Sequence, residues 1–145
     1  MQRPGLPKLI RIGRSRVPVD SHRVYEAADY SALHLFHAAG RVVLGQQLHE
    51  IAPGAMMITP RGVRSVYTTG VPLEHVFVHF HARDESGEPA GIPAGIFPPS
   101  RDLEPAASGI VAALTVSIDN PAWAAVKLWD VLLALAHHSA SANRP

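Results

Sequence analysis

The sequence predicts an α+β fold that is mainly β: a small barrel of short strands followed by a pair of helices. Three observations carry this. Before residue 83, apolar residues recur at a period of two, most strictly where His75, Phe77, His79 and His81 alternate with Val76, Val78 and Phe80. Gly and Pro break these runs at short intervals, as in small all-β domains. After residue 101 the apolar period becomes three and four, and strands followed by helices is the α+β order.

The stretch from Ile51 to Tyr67 fixes the reading of the strand region. Pro53 presets φ and Gly54 can take a positive φ, so the pair predicts a tight turn. Ala55 to Ile58 is apolar and too short for a helix, which makes it a buried strand. Pro60 cannot donate to a ladder, and with Gly62 it stops that strand and reverses the chain. Another extended run, Val63 to Thr68, starts at once.

Asp29 to Ala38 is the first clear strand. Leu33, Leu35 and His37 share one face, and Ala32, His34 and Phe36 share the other. Apolar residues on both faces imply burial on both sides, by a barrel interior and a covering helix layer. Arg41 to Leu44 and Gln47 to Ile51 read as a hairpin turning at Gly45-Gln46. Leu9 to Ile12 and Val24 to Ala27 are weaker strand candidates. Asp84 to Arg101, with its charges and four prolines, reads as a connecting loop. Asp102 to Ile118 is a helix candidate with Leu103, Ile110, Val111, Leu114 and Ile118 on one face. Asn120-Pro121 is a cap followed by Pro at the first helical position, and it opens a helix to about His138. Trp123, Val126, Trp129, Leu132, Leu133 and Ala136 form its apolar stripe.

At 145 residues the chain suits one domain, with residues 1–100 as the barrel and 101–145 as its helical segment. A net charge of +1 gives no global case for nucleic-acid binding, although Arg3, Lys8, Arg11, Arg14, Arg16 and Arg23 make a basic amino-terminal arm. The bland reading of that arm is a solvated terminus. The absence of cysteine excludes disulfides, thiolate metal sites and thiol nucleophiles. No apolar run approaches the roughly 18 residues that span a bilayer. The first residues lack the apolar segment of a secretory signal, so a cytoplasmic location is expected.

Gly54, Pro60 and Gly62 fall at the landmarks of the second motif of the cupin superfamily: Gly, five residues, Pro, one residue, Gly, two residues, His, three residues, Asn. Ser65 stands at the position of the metal-ligand His and Thr69 at that of the Asn. Beyond this motif, the chain from about Tyr25 onward resembles the effector-sensing domain of AraC-type transcription regulators. The resemblance is carried by the strand ending at Gly40, the hairpin into Pro53-Gly54, the alternating strand with His79-Phe80, and the Leu-rich last helix. It implies a cupin-like (double-stranded β-helix) barrel that binds a small effector, a sugar among the candidates, and forms a homodimer through its helices. It also implies that DNA is bound only through a helix-turn-helix pair, which is expected to be absent from this chain.

The same resemblance implies ligand-binding positions at His37, Tyr67, His75 and Phe77. Residues of these types stack on a sugar face or hydrogen-bond its hydroxyls. A dimer seam is expected at Trp129, Leu132 and Leu133. Nine histidines invite a metal, since imidazole suits Zn, Fe, Ni or Cu. Against this, counting back from Gly40 puts Leu33 at the Glu position of the first cupin motif, and Ser65 removes the ligand of the second. His75, His79 and His81 share a strand face, but consecutive same-face positions lie about 7 Å apart, too far to meet at one ion unaided. The expectation is a metal-free, cofactor-free, non-enzymatic sensor. The alternative is a small metal-dependent cupin enzyme, an isomerase or oxygenase.

Overall fold

The computed structural model describes residues 4–19, 24–84, 86 and 92–142. Among the described residues, nine strands make two antiparallel sheets: β1 Lys8–Val17, β2 Val24–Tyr25, β3 Ser31–Phe36, β4 Gly40–Leu44, β5 Gln47–Ile51, β6 Met56–Thr59, β7 Ser65–Thr68, β8 Leu73–His81 and β9 Gly95–Phe97. A single turn of 3₁₀ helix, Arg101–Leu103, leads into α1 Glu104–Val116 and α2 Pro121–Ala142. One sheet runs β1-β8-β3-β6-β9 and the other β2-β7-β4-β5.

The pairing is nested. β1 pairs with β8, β2 with β7, β3 with β6 and β4 with β5, as if one long hairpin had been wound on itself. Only β4 and β5 follow each other within one sheet among the first eight strands; every other step crosses to the opposite sheet. That is the double-stranded β-helix, the jelly-roll arrangement that includes cupins. The predicted fold class stands.

Turn chemistry sets the crossings. Ala55 N–H donates to Ala52 O at 3.0 Å across Pro53 and Gly54, and Gly54 has φ +91°. Pro at the second position and a positive φ at the third suit a type II turn. Val63 N–H donates to Pro60 O at 3.1 Å, with Pro60 first in this turn and Gly62 supplying the positive φ, +79°, at the third position.

Two apolar layers result. Leu33, Leu35, Val76, Val78 and Phe80 point out of the five-stranded sheet and meet Ile110, Leu128, Val131, Leu132 and Leu135 of the helices. Phe36, Val42, Met57, Tyr67 and Leu73 fill one end of the space between the sheets. β3 and β8 are therefore covered on both faces, as the two-sided pattern of β3 predicts.

Several expectations are corrected. Residues 8–17 of the basic arm are a ten-residue edge strand rather than a loose terminus; Arg3 and Arg23 lie outside the described residues. The loop expected over 84–101 contains β9, which extends the first sheet beyond β6. Within it, Asp84 is buried and accepts bonds from the Ser86 N–H at 2.8 Å and hydroxyl at 2.6 Å. The cap is as expected: Trp123 N–H donates to Asn120 Oδ1 at 3.0 Å.

The stripe on α2 is displaced. Its buried residues are Ala124, Leu128, Val131, Leu132 and Leu135, whereas Trp123 and Val126 are 52% and 50% exposed. Ile118, expected on the buried face of the first helix, is 90% exposed just past its end. Trp123 and Val126 fall about half a turn from the buried set, so a stripe of similar width on the wrong side fits the sequence almost as well. Leu132 has no exposed surface and cannot form a seam with a second chain. Trp129 is half-buried, and its Nε1–H donates to Pro4 O at 2.8 Å, which ties the first described residue to the last helix. Of the three expected seam residues only Leu133, half-buried, lies toward the uncovered side of α2.

Leu132→Ala should cost about 2–5 kcal/mol, the usual range for emptying a fully buried leucine site. Urea unfolding of the two proteins measures it. Leu132→Asp should fail to fold rather than give a folded monomer.

Candidate functional site

Away from the apolar plug around Phe36, the two sheets part to leave a cavity of about 430 Å³. Strand alternation decides its lining. On β3 the inward side chains are Ala32 and His34; on β8 they are His75, Phe77 and His79. β1 adds Arg11 and Ser15, and β6 adds Thr59. Tyr25, Ser65 and Tyr67 close it from the second sheet, with Tyr30 from the segment before β3. Arg11 and Glu26 are exposed at its rim.

Rings form most of the wall. His34 lies 5.1 Å from His75 between centroids and is stacked parallel to Phe36 at 5.7 Å. Tyr25 meets Tyr67 edge-on at 5.4 Å, and Tyr30 stacks on His79 at 4.2 Å. Phe77 and His79 are 4.9 Å apart, and the Arg11 guanidinium sits 5.3 Å from the centre of the Phe77 ring. Gly13 on β1 lets that ring lie close: a methyl there would meet the ring at 3.0 Å.

The histidines on this wall are held neutral. Burial lowers the His34 pKa from 6.5 to about 3, and the neighbouring His75 and His79 push in the same direction. His75 is lowered chiefly by burial, against the bond its Nδ1 makes with Leu73 O at 3.2 Å. That carbonyl can only accept, so Nδ1 carries the proton and Nε2 is left as an acceptor. His79 is lowered by burial first and then by the Arg11 charge. Burial also keeps the Tyr67 phenol protonated by pushing its pKa up, with Ser65 opposing.

Two buried polar atoms have no partner among the described residues: His34 Nδ1 and Thr59 Oγ1. Both residues line the cavity. An unpaired buried donor or acceptor costs about 1–3 kcal/mol, so each such atom calls for an explanation.

Of the four ligand positions expected from sequence, Tyr67, His75 and Phe77 meet in this cavity and His37 does not. β3 ends at Phe36, and His37 lies beyond it, exposed, with its N–H bonded to Glu74 O at 2.8 Å. Its parity with Leu33 and Leu35 belongs to the helix-covered face, which was the available signal against it. The residues missed are His34 and Thr59. His34 could have been found as the polar residue between Ala32 and Phe36, on the face opposite Leu33 and Leu35.

The barrel raises the question of a metal, and the donors present do not fit one. Among the described residues no three His, Asp, Glu or Cys side chains gather closely enough to hold an ion. Ser65 occupies the wall where the cupin pattern has its ligand histidine, and His75 spends one nitrogen on Leu73 O. His81, same-face with His75 and His79 by sequence, does not line the cavity.

No protein-family model matches this chain, and no curated protein matches it. Solved structures do show likeness. One is the plu4264 protein from Photorhabdus luminescens, with a TM-score of 0.43 and 8% identity over 47% of this chain. The match covers 59% of that protein, less than two thirds of its length. A cupin-2 domain protein from Shewanella frigidimarina has a TM-score of 0.42 and 15% identity, covering 50% of this chain and 76% of that one. A cupin protein from Bacteroides fragilis has a TM-score of 0.40 and 12% identity, covering 57% and 70%. Likeness this distant adds nothing to the nested strand pairing, on which the fold rests. No helix among the described residues is long and apolar enough to cross a membrane.

Because His34 takes a proton at about pH 3 when folded and near 6.5 when unfolded, the unfolded chain binds the extra proton between those values. Stability is intact above pH 6.5 and falls as pH drops through this window, by up to about 1.4 kcal/mol per pH unit from His34. His75 and His79 act in the same sense; Arg11 and Glu26 also face the cavity, and Tyr67 stays neutral throughout. His34→Phe should lose less stability than the parent between pH 7 and pH 5, measured by urea unfolding at both.

Proposed function

We propose that this chain is the ligand-sensing and dimerisation domain of an AraC-type transcription regulator, a binding rather than a catalytic unit. The observation that carries the binding half is the cavity itself. It is of ligand size and walled by rings, with the polar side chains of His34, Ser65, Tyr67, His75 and His79 set among them. The order of barrel, connecting segment and helix pair agrees with the resemblance read from Tyr25 onward. DNA would be bound through units attached to this domain, and the effector would act by shifting how those units are presented.

Dimerisation, in this reading, uses the side of α2 that the monomer leaves uncovered. At helical spacing Trp123, Val126, Asp130, Leu133 and His137 share that side, opposite Leu128 and Leu135. Lys127 adds a cation 5.4 Å from the Trp123 ring centre. A second copy docking there would bury apolar surface at about 25 cal/mol per Å².

Sedimentation equilibrium at micromolar concentration should show a dimer, and Val126→Asp should give a folded monomer. A native chain that sediments as a monomer would remove the dimerisation half. For the sensing half, some small metabolite should raise the melting temperature of the parent, since a ligand that binds only the folded state must stabilise it. Ala32→Phe, which fills the cavity, should abolish that shift.

A further inference from the structure

Resting on the sensing role just proposed, we infer that the cavity takes a free α-amino acid with a bulky apolar side chain. The side chain lies inside and the charged head sits at the mouth, between Arg11 and Glu26. Topology places that mouth. β1 ends the first sheet and β2 ends the second. Among the described residues, β1, β8, β3 and Thr59 of β6 line the cavity from one sheet, and β2 and β7 from the other; β4, β5 and β9 contribute nothing. The cavity therefore lies toward the β1 and β2 edges, where Arg11 and Glu26 stand exposed on its rim.

These two are the Lys, Arg, Asp or Glu residues of the lining, and they are opposite in sign. Neither has an ion-pair partner among the described residues, where the pairs are Arg16–Glu74 at 3.0 Å and Arg41–Glu50 at 2.8 Å. The Arg11 guanidinium rests 5.3 Å from the centre of the Phe77 ring, which holds it over the cavity rather than out in solvent. Its planar fork matches a carboxylate. The Glu26 carboxylate accepts from an ammonium, which carries three donors. An α-amino acid brings both groups on one carbon. An anion alone would also meet Glu26, and a cation alone would also meet Arg11, so each would face a like charge.

Behind the rim the wall asks for the opposite chemistry. Phe77 of the first sheet and Tyr25 and Tyr67 of the second present ring surface, with Ala32 beside them. His34, His75 and His79 are held neutral by burial. The part of the ligand that enters therefore meets no fixed charge and must itself be uncharged, because an unpaired buried ion is costly. A cavity of roughly 150 Å³ already admits benzene, and this one, at about 430 Å³, has room for a benzyl group with its head at the opening. A sugar would leave both rim charges without a counter-charge.

Titration calorimetry of the whole chain at pH 7 with phenylalanine, hydrocinnamate, phenethylamine, alanine and glucose tests this. Phenylalanine should bind at least ten-fold more tightly than each of the other four. Arg11→Gln should weaken phenylalanine and hydrocinnamate at least five-fold and spare phenethylamine. Glu26→Gln should weaken phenylalanine and phenethylamine at least five-fold and spare hydrocinnamate. Both positions are exposed, so both variants should fold, which circular dichroism checks. Hydrocinnamate or phenethylamine binding as tightly as phenylalanine would overturn the doubly charged head. So would phenylalanine binding that either substitution leaves unchanged. Preferential binding of glucose, lost in Ala32→Phe, would overturn the amino-acid assignment and leave the sensing role standing. If none of the five binds, the assignment falls, and a wider metabolite screen by melting temperature then decides the sensing role separately.

Discussion

The nested pairing of β1 with β8, β2 with β7, β3 with β6 and β4 with β5 is the constraint from which the rest of the molecule follows. It puts β3 and β8 side by side in the middle of the larger sheet, with no face left to water. One face must then be covered from outside, and the helix pair does this with Ile110, Leu128, Val131 and Leu135. The other face is roofed by the second sheet, which fills only one end of the enclosed space. The cavity is what remains at the other end, and its histidines are the inward half of a strictly alternating strand.

That enclosure also explains the chemistry of the wall. A histidine in an open cleft would titrate near neutrality; the same residue at position 34 is boxed in by Phe36, His75 and the facing sheet. Desolvation dominates its shift, and neighbouring imidazoles add to it. The site is therefore rich in hydrogen-bonding groups and poor in charge. Such a surface discriminates by the pattern of donors and acceptors rather than by attraction at a distance.

Much of the fold was legible because short-range chemistry decides it. Pro53-Gly54 and Pro60 to Gly62 make turns wherever they occur, and the alternation from His75 to His81 admits only a strand. Asn120-Pro121 announced a helix start that the cap bond bears out. What escaped depended on long-range contacts. The Gly95–Phe97 strand is too short and too close to prolines to read alone, and it exists because Met56 to Ile58 offered an unpaired edge. A helix apolar on more than one side does not disclose which side is buried, so Leu132 suits a seam by sequence and belongs to the core by contact. His37 lies outside the cavity on two counts, since it shares the parity of Leu33 and Leu35 and follows the last residue of the strand. Thr59 gave no local signal: its orphaned hydroxyl is a property of the space across from it.

The bond from the Trp129 indole to Pro4 O lies at the head of β1, and the same strand sends Arg11 and Ser15 to the cavity. The chain is thus fastened to the terminal helix four residues before β1 begins, and the middle of β1 forms part of the chamber. Its pairing with β8 runs from Lys8 to Val17 with one register shift, between Leu9 and Arg11, just before the cavity residues begin. The chamber wall and the terminal helix therefore hang on one continuous stretch of chain, so the seating of that helix and the width of the chamber share a common strut.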